Sequence, residues 1–320
     1  MLDNETRTQS LEILRNLHIG SDRDIEAASH VKRLLTQDAG GNLAPTAKHF
    51  TKFGETRGVM LVGGPGSGKS HLMDRTLSRI PVLAAGGHGR RRYINCPVPS
   101  PATFKSMTLA LIKETGYPDP NPRKEAWSLW QDFRYRLQLL ETSIVWIDEA
   151  QDLFCADRKL ILRALKSLMQ GDGAVGVILS GTEELAQVIR TDPQVKRRFT
   201  AMVLPDLVEE VDGANFREIM AQYCQRVSLK EPVEADLVGR LFHAARYRFG
   251  RAVELLLQAM EFAIERGSSY LEIGHFAAAY AMNEACTAAD NVFHVEKYWL
   301  IDPDAEDGDE PRRPARKRKV

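Results

Sequence analysis

Gly63-Gly64-Pro65-Gly66-Ser67-Gly68-Lys69-Ser70-His71-Leu72 directly follows the apolar run Val59-Met60-Leu61-Val62. An apolar run without polar alternation predicts a strand buried on both faces. The stretch after it fits G-x-x-x-x-G-K-[ST], with Gly63, Gly68, Lys69 and Ser70 at the fixed positions. Glycines there let backbone N–H groups converge on phosphate oxygens, and the helix predicted from residue 69 adds its positive end. Gly63, Gly64, Pro65, Gly66, Ser67, Gly68, Lys69, Ser70 and His71 are therefore the expected nucleotide-lining run. Lys69 is expected to bridge the β- and γ-phosphates and Ser70 to ligate Mg²⁺.

Working outward, short apolar runs alternate with helical stretches. Strands are predicted at 58–62, 92–96, 143–147, 175–180 and 201–204, and helices at 69–80, 102–115, 126–140, 158–169 and 183–190. Alternation of this kind specifies an α/β domain with a parallel sheet flanked by helices. The run Ser143-Ile144-Val145-Trp146-Ile147-Asp148-Glu149 delivers two carboxylates at the end of a buried strand, the edge where open α/β sheets bind ligands. Asp148 is expected to hold Mg²⁺ through water, and Glu149 to orient and polarise the attacking water. The acidic pair points to ATP, with Mg²⁺, and no guanine-reading N-K-x-D occurs.

The strands stop near residue 210, and helices are predicted at 213–228, 233–248, 250–266 and 273–287. The expected divisions are an N-terminal helical segment (1–44), with Asp22 or Asp24 capping a helix over 25–35, an α/β core (45–210), a small all-helical lid (211–290) and a charged C-terminal segment (291–320). From about residue 302 that segment holds acids at 302, 304, 306, 307, 309 and 310, then bases at 312, 313 and 316–319, too little apolar surface to fold.

The 43 basic residues of the 320-residue chain balance 43 acidic ones, so nucleic-acid binding has to come from local patches. No apolar run reaches membrane-spanning length, and the polar start Met1–Ser10 carries no secretory signal. Cys96, Cys155, Cys224 and Cys286 are scattered without a CxxC pair, which argues against a zinc site or disulfide framework and for a cytoplasmic protein; Cys155 is read as inert. Trp127, Trp130 and Phe133 lie at helical spacing and are read as core. His71 is read as a helix-surface residue, since Glu149 already fills the role of base.

At this point the sequence resembles the AAA+ ATPases and, more narrowly, the TniB/TnsC family of transposition ATPases, with the IstB group a more distant relative. The residues carrying this are RGVMLVGGPGSGKSHL, SIVWIDEAQDL, GVILSGTEEL, QVKRRF and FGRAVELL, over about residues 45–260. The resemblance implies an AAA+ phosphate-loop core followed by a helical lid. It puts Thr182, or Ser180 by a short shift, at the first sensor position that reports the γ-phosphate. It puts Arg198, with Arg197 beside it, at the arginine finger that reaches a neighbouring subunit's nucleotide, and Arg251 at the second sensor in the lid. It implies a bacterial, cytoplasmic protein that forms a homo-oligomeric ring or filament on duplex DNA in the ATP state. The assembly marks a target, recruits transposase, works with a target-selection protein and comes apart on hydrolysis.

The region Ser100–Lys105 resembles the part of that fold facing the central DNA, where Thr103 and Lys105 would contact phosphates without reading bases. The alternative for the same residues is a helix start capped by Ser100 or Thr103. A second basic cluster lies at Arg90-Arg91-Arg92, and the tail Arg312–Lys319 is a polyelectrolyte suited to DNA or transposase. Replication initiators or helicase loaders, and secretion-type assembly ATPases, share similar strings. The first class is expected to carry a DNA-reading domain after the lid, for which residues 288–320 are too short and too charged; the second, an extra membrane or cell-wall domain. A transposase is disfavoured because no acidic catalytic triad on a ribonuclease-like fold is apparent.

Overall fold

The computed structural model describes residues 9, 13–15, 20–86, 89–154 and 157–304. Cys155 and the basic tail Arg312–Lys319 lie outside them. The chain divides into two units: residues 19–206, and residues 1–18 with 207–320.

The first unit is built on a five-stranded parallel sheet: β3 (Gly58–Val62), β4 (Tyr93–Pro97), β5 (Ile144–Asp148), β6 (Gly176–Gly181) and β7 (Phe199–Val203). Its spatial order is β4-β5-β6-β3-β7. All residues of β3 and β6 are buried, as their unbroken apolar runs require. Alternate residues feed two cores. Met60, Val62, Val145, Ile147, Val177 and Leu179 pack with α3 (Phe104–Glu114), α4 (Ala126–Leu139), α5 (Arg158–Leu168) and α6 (Glu183–Arg190). Val59, Leu61, Ile144, Trp146 and Ile178 pack with α1 (Asp22–Lys32) and α2 (Lys69–Ser78). Helices thus cover both faces of the sheet, the expected fold class. Trp130 and Phe133 are core residues as read, whereas Trp127 is 39% exposed and lies against the Phe104 ring.

Residues 20–47 depart from the expected helical segment. Ser21 rather than an aspartate is the N-cap of α1, and its N–H donates to Asp24 Oδ2 at 2.8 Å. After α1 the chain forms an antiparallel pair, β1 (Leu35–Gln37) with β2 (Leu43–Ala47). Ala27, Val31, Leu34 and Leu35 belong to the α/β core, so this segment is part of the first unit. A one-turn α7 (Pro193–Lys196), capped by Asp192, leads into β7, which starts two residues before the expected strand.

The second unit contains α8 (Glu209–Arg226), α9 (Leu237–Ala244), α10 (Phe249–Glu265) and α11 (Ile273–Glu284). Phe216 and Phe242 meet edge to face at 5.3 Å between ring centroids. The helix expected over 233–248 is much shorter, because Arg246 and Tyr247 adopt left-handed φ values of 53° and 57°. Residues 291–304 pack on these helices. Val292 and Phe293 are buried, Arg240 donates to Val292 O and Val295 O at 2.7 and 2.6 Å, and Arg246 pairs with Glu284 and Asp304. Among the described residues no helix is long and apolar enough to cross a membrane.

One close approach sets a stability test. A Cβ on Gly58 would fall 2.4 Å from Val177 O and 2.5 Å from the Phe199 ring. Gly58→Ala is expected to lower stability by about 1–3 kcal/mol through overpacking of the sheet. Gly274→Ala, on a helix with nothing within 4 Å of the added carbon, is expected to leave it unchanged or slightly raised. Urea unfolding midpoints of the two variants check both outcomes.

Candidate nucleotide site

The glycine-rich stretch forms a loop between β3 and α2. Gly66 and Gly68 take φ values of 74° and 89°, a region that side-chain-bearing residues avoid, and Gly68 is the N-cap of α2. Gly63 is needed for space: a Cβ there would meet Ser67 Oγ at 2.6 Å. Lys69 is buried, and its ammonium donates to Gly63 O at 3.0 Å and Gly64 O at 3.1 Å, spanning the loop. Ser70 and His71 are exposed on the first turn of α2. The buried Ser67 Oγ makes no hydrogen bond among the described residues. A buried cation, an unpaired hydroxyl and a helix N-terminus converging on one loop fit a bound triphosphate.

Asp148 ends β5 at the same C-terminal edge of the sheet. Its Oδ1 accepts from Ser180 Oγ and from Glu149 N at 3.1 Å, while Ser180 Oγ accepts from Trp146 Nε1 at 2.7 Å. The indole thereby fixes the hydroxyl, and the hydroxyl fixes the carboxylate. Ser180, one of two sensor alternatives, is thus engaged in orienting the expected metal carboxylate. Thr182, the other, is the N-cap of α6, and its buried Oγ1 makes no hydrogen bond among the described residues. Glu149 sits at φ 52° and accepts from Gln151 Nε2 at 2.7 Å through Oε2. The loop and the acidic pair are joined through β6: Gly63 N–H donates to Gly181 O at 3.1 Å, and Ser180 holds Asp148. These groups form one polar site fit for a nucleotide with Mg²⁺.

The two arginines lie elsewhere. β3 and β7 run parallel with Gly58 opposite Phe199, so Arg197 and Arg198 stand at the sheet edge opposite the loop. They cannot serve the loop of their own chain. Arg198, the expected finger, is 5% exposed and donates to Glu55 Oε1 (2.7 Å), Lys166 O (3.1 Å) and Gln170 Oε1 (3.2 Å). The Arg198 guanidinium thus has three acceptors inside its own chain, while its buried Nε has no hydrogen-bond partner among the described residues. Arg197 has a side chain 57% exposed, touching the same Glu55 oxygen at 2.7 Å. The hydrogen bond from Arg197, with the charge of Arg198, holds the Glu55 carboxyl below its usual range.

Thr103 caps α3, its Oγ1 accepting from Ser106 N at 3.0 Å, and Lys105 is half-buried on the first turn. Arg92 pairs with Glu141 at 2.8 Å and Arg91 donates to Tyr93 OH at 2.7 Å, so much of that basic cluster is spent internally. Arg251 lies in the first turn of α10, in the other unit. Burial pushes the Cys96 and Cys224 thiols up to about 12, leaving no reactive thiolate at either. Sequence reasoning missed the roles of Gln151, Trp146 and Glu55. The string Asp148-Glu149-Ala150-Gln151 contained the first, but only the fold aims its amide.

Among solved structures, the chain is similar to the Orc1 protein of Aeropyrum pernix in complex with DNA (TM-score 0.60, 17% identity, 84% of this chain and 65% of that one). It is similar to the ORC2 protein of the same organism in ADPNP–ADP complexes (TM-score 0.58, 16% identity, 86% and 72%). It is also similar to Cdc6p of Pyrobaculum aerophilum (TM-score 0.53, 12% identity, 69% and 59%). At these identities the likeness concerns the fold, that of the AAA+ proteins, and the chain spans just under two thirds of the Orc1 chain. No curated protein matches the sequence. Residues 42–208, just over half of the chain and including the loop, the acidic pair and both arginines, match the family described as Bacterial TniB protein. With that match and the AAA+ architecture, the chain belongs to the bacterial TniB family.

Proposed function

We propose that the chain is an Mg²⁺-dependent ATPase that regulates DNA transposition, assembling on duplex DNA in the ATP state and dismantling on hydrolysis. The observation that carries this is the polar site at the C-terminal sheet edge, where Lys69, Ser180-held Asp148 and Glu149 are gathered in a chain of the TniB family.

Lys69 balances charge on the terminal phosphates, and the loop amides hold them. Ser70 and Asp148 are the residues that would hold Mg²⁺, which would supply charge neutralisation on the phosphates. Glu149 orients the attacking water and accepts its proton, and Thr182 offers an unpaired hydroxyl to the γ-phosphate.

Arg197 is the finger on this reading. It is exposed, it lies at the edge away from its own loop, and Glu55 holds it in place. A finger that serves only a neighbour's nucleotide makes hydrolysis depend on assembly. A contact between different surfaces of two copies, repeated, gives a ring or a filament. Two structures of similar fold support the nucleotide and DNA parts of this reading: the Orc1 protein is in complex with DNA, and the ORC2 protein is in ADPNP–ADP complexes. Lys105, with Thr103 at the start of α3, is the proposed DNA-backbone contact. Transposase and a target-selection protein are the proposed partners, in the bacterial cytoplasm.

Electron microscopy with duplex DNA and ATPγS, ADP or no nucleotide tests the assembly. Rings or filaments with ATPγS alone, absent for Lys69→Ala, are expected; monomers in every condition would overturn the proposal. Glu149→Gln is expected to retain nucleotide binding and DNA-bound assemblies while ATP turnover falls by about 10²-fold or more. Turnover and microscopy of one preparation check this. Arg197→Ala is expected to lower DNA-stimulated turnover by about 10³-fold with nucleotide affinity unchanged. Arg198→Ala should instead cost about 1–3 kcal/mol of stability by leaving buried acceptors unpaired, read from urea unfolding.

A further inference from the structure

A hydrogen-bonded series runs from the phosphate loop to Glu149. Gly63 N–H donates to Gly181 O at 3.1 Å. Across the same peptide unit, Thr182 N–H donates to Gln151 Oε1 at 3.2 Å. Gln151 Nε2 then donates to Glu149 Oε2 at 2.7 Å. The two partners of Gln151 are of opposite type, a backbone donor and a carboxylate acceptor, so they fix which way the amide faces. Bonds linked through a peptide and an amide polarise one another along the series.

The local backbone is shaped for this contact. A Cβ on Gly181 would lie 2.4 Å from Gln151 Oε1, so glycine at the end of β6 makes room for the amide. Glu149 holds a left-handed φ of 52°, fixed by its N–H to Asp148 Oδ1 and by its carbonyl, which accepts from Asp152 N at 3.1 Å. Its backbone is therefore set by neighbours in sequence, while its carboxylate is aimed by Gln151. Oε2 is engaged, and among the described residues Oε1 has no hydrogen-bond donor and is left for a water.

The structure assigns Gln151 the role of a positioning residue that registers the Glu149 carboxylate against the phosphate loop through the Gly181–Thr182 peptide; this rests on the reading of Glu149 as the base for ATP hydrolysis. A shift of that peptide is delivered to the carboxylate, and loss of the amide lets a three-torsion side chain wander from the water it orients. Misplacement of about 1 Å at a reacting group costs on the order of 10²-fold in rate.

Three variants separate this from a general structural role. Gln151→Ala removes both bonds. Gln151→Glu keeps an acceptor for Thr182 N and loses the donor to Glu149. Gly181→Ala displaces the amide while leaving Glu149 and Gln151 in place. Each is expected to lower kcat for DNA-stimulated ATP hydrolysis by about 10- to 100-fold, with KM and the Kd of a fluorescent ATP analogue unchanged. In a Glu149→Gln background, Gln151→Ala is expected to add no further loss, because its route runs through that carboxylate. Wild-type kcat in Gln151→Ala and Gly181→Ala would overturn the assignment. So would a full additional loss in the Glu149→Gln background, or nucleotide binding lost together with kcat. A wild-type chain that hydrolyses no ATP overturns the underlying reading and the assignment with it; unaltered variants of an active wild type overturn the assignment alone.

Discussion

The placement of β6 between β3 and β5 is the constraint on which the site depends. Parallel pairing brings all three strands to one C-terminal edge, and β6 then touches both neighbours with successive residues. Ser180 turns to Asp148, Gly181 takes the N–H of Gly63, and Thr182 reaches Gln151. A strand with all six residues buried thus becomes the polar link between a phosphate-binding loop and a pair of carboxylates. Backbone groups at strand ends have to find partners, and here their partners are the site itself.

The opposite sheet edge carries the complementary chemistry. Glu55, at an isolated bridge to Gln170, binds two adjacent arginines through one carboxylate oxygen, one buried and one exposed. The buried guanidinium ties the segment before β3 to the end of α5 and the start of β7. The exposed one stands at the surface, pre-positioned by a carboxylate kept ionised by its partners. Separating site and finger onto opposite edges of one sheet leaves each chain short of one catalytic group, which in the proposed mechanism a second copy supplies.

Much of this was legible in the sequence, for identifiable reasons. The run 58–62 has no polar residue, and the glycines after it are those that the loop's left-handed turns and close contacts require, so strand and loop were readable together. Asp148 and Glu149 stood out because they end a buried apolar strand at the edge where open α/β sheets bind ligands. What the sequence hid were non-local facts. The β1–β2 pair was masked by Pro45 within β2 and by a Gly40-Gly41 turn that reads only as a loop. The helix end at Ala244 was masked because Arg246 and Tyr247, not glycines, take left-handed φ. Which of two adjacent arginines is buried depended on Glu55, far upstream. The aim of Gln151 depended on where β6 ends.

In the proposed mechanism one chain's Glu149 site is completed by another chain's Arg197. Mixing Glu149→Gln protein with Arg197→Ala protein on duplex DNA tests it most directly, since each lacks a different half of the site. The mixture is expected to hydrolyse ATP faster than the two proteins measured separately, because Arg197→Ala sites receive the intact finger of a Glu149→Gln neighbour. A mixture no faster than the sum of its parts, from proteins that co-assemble, would contradict it.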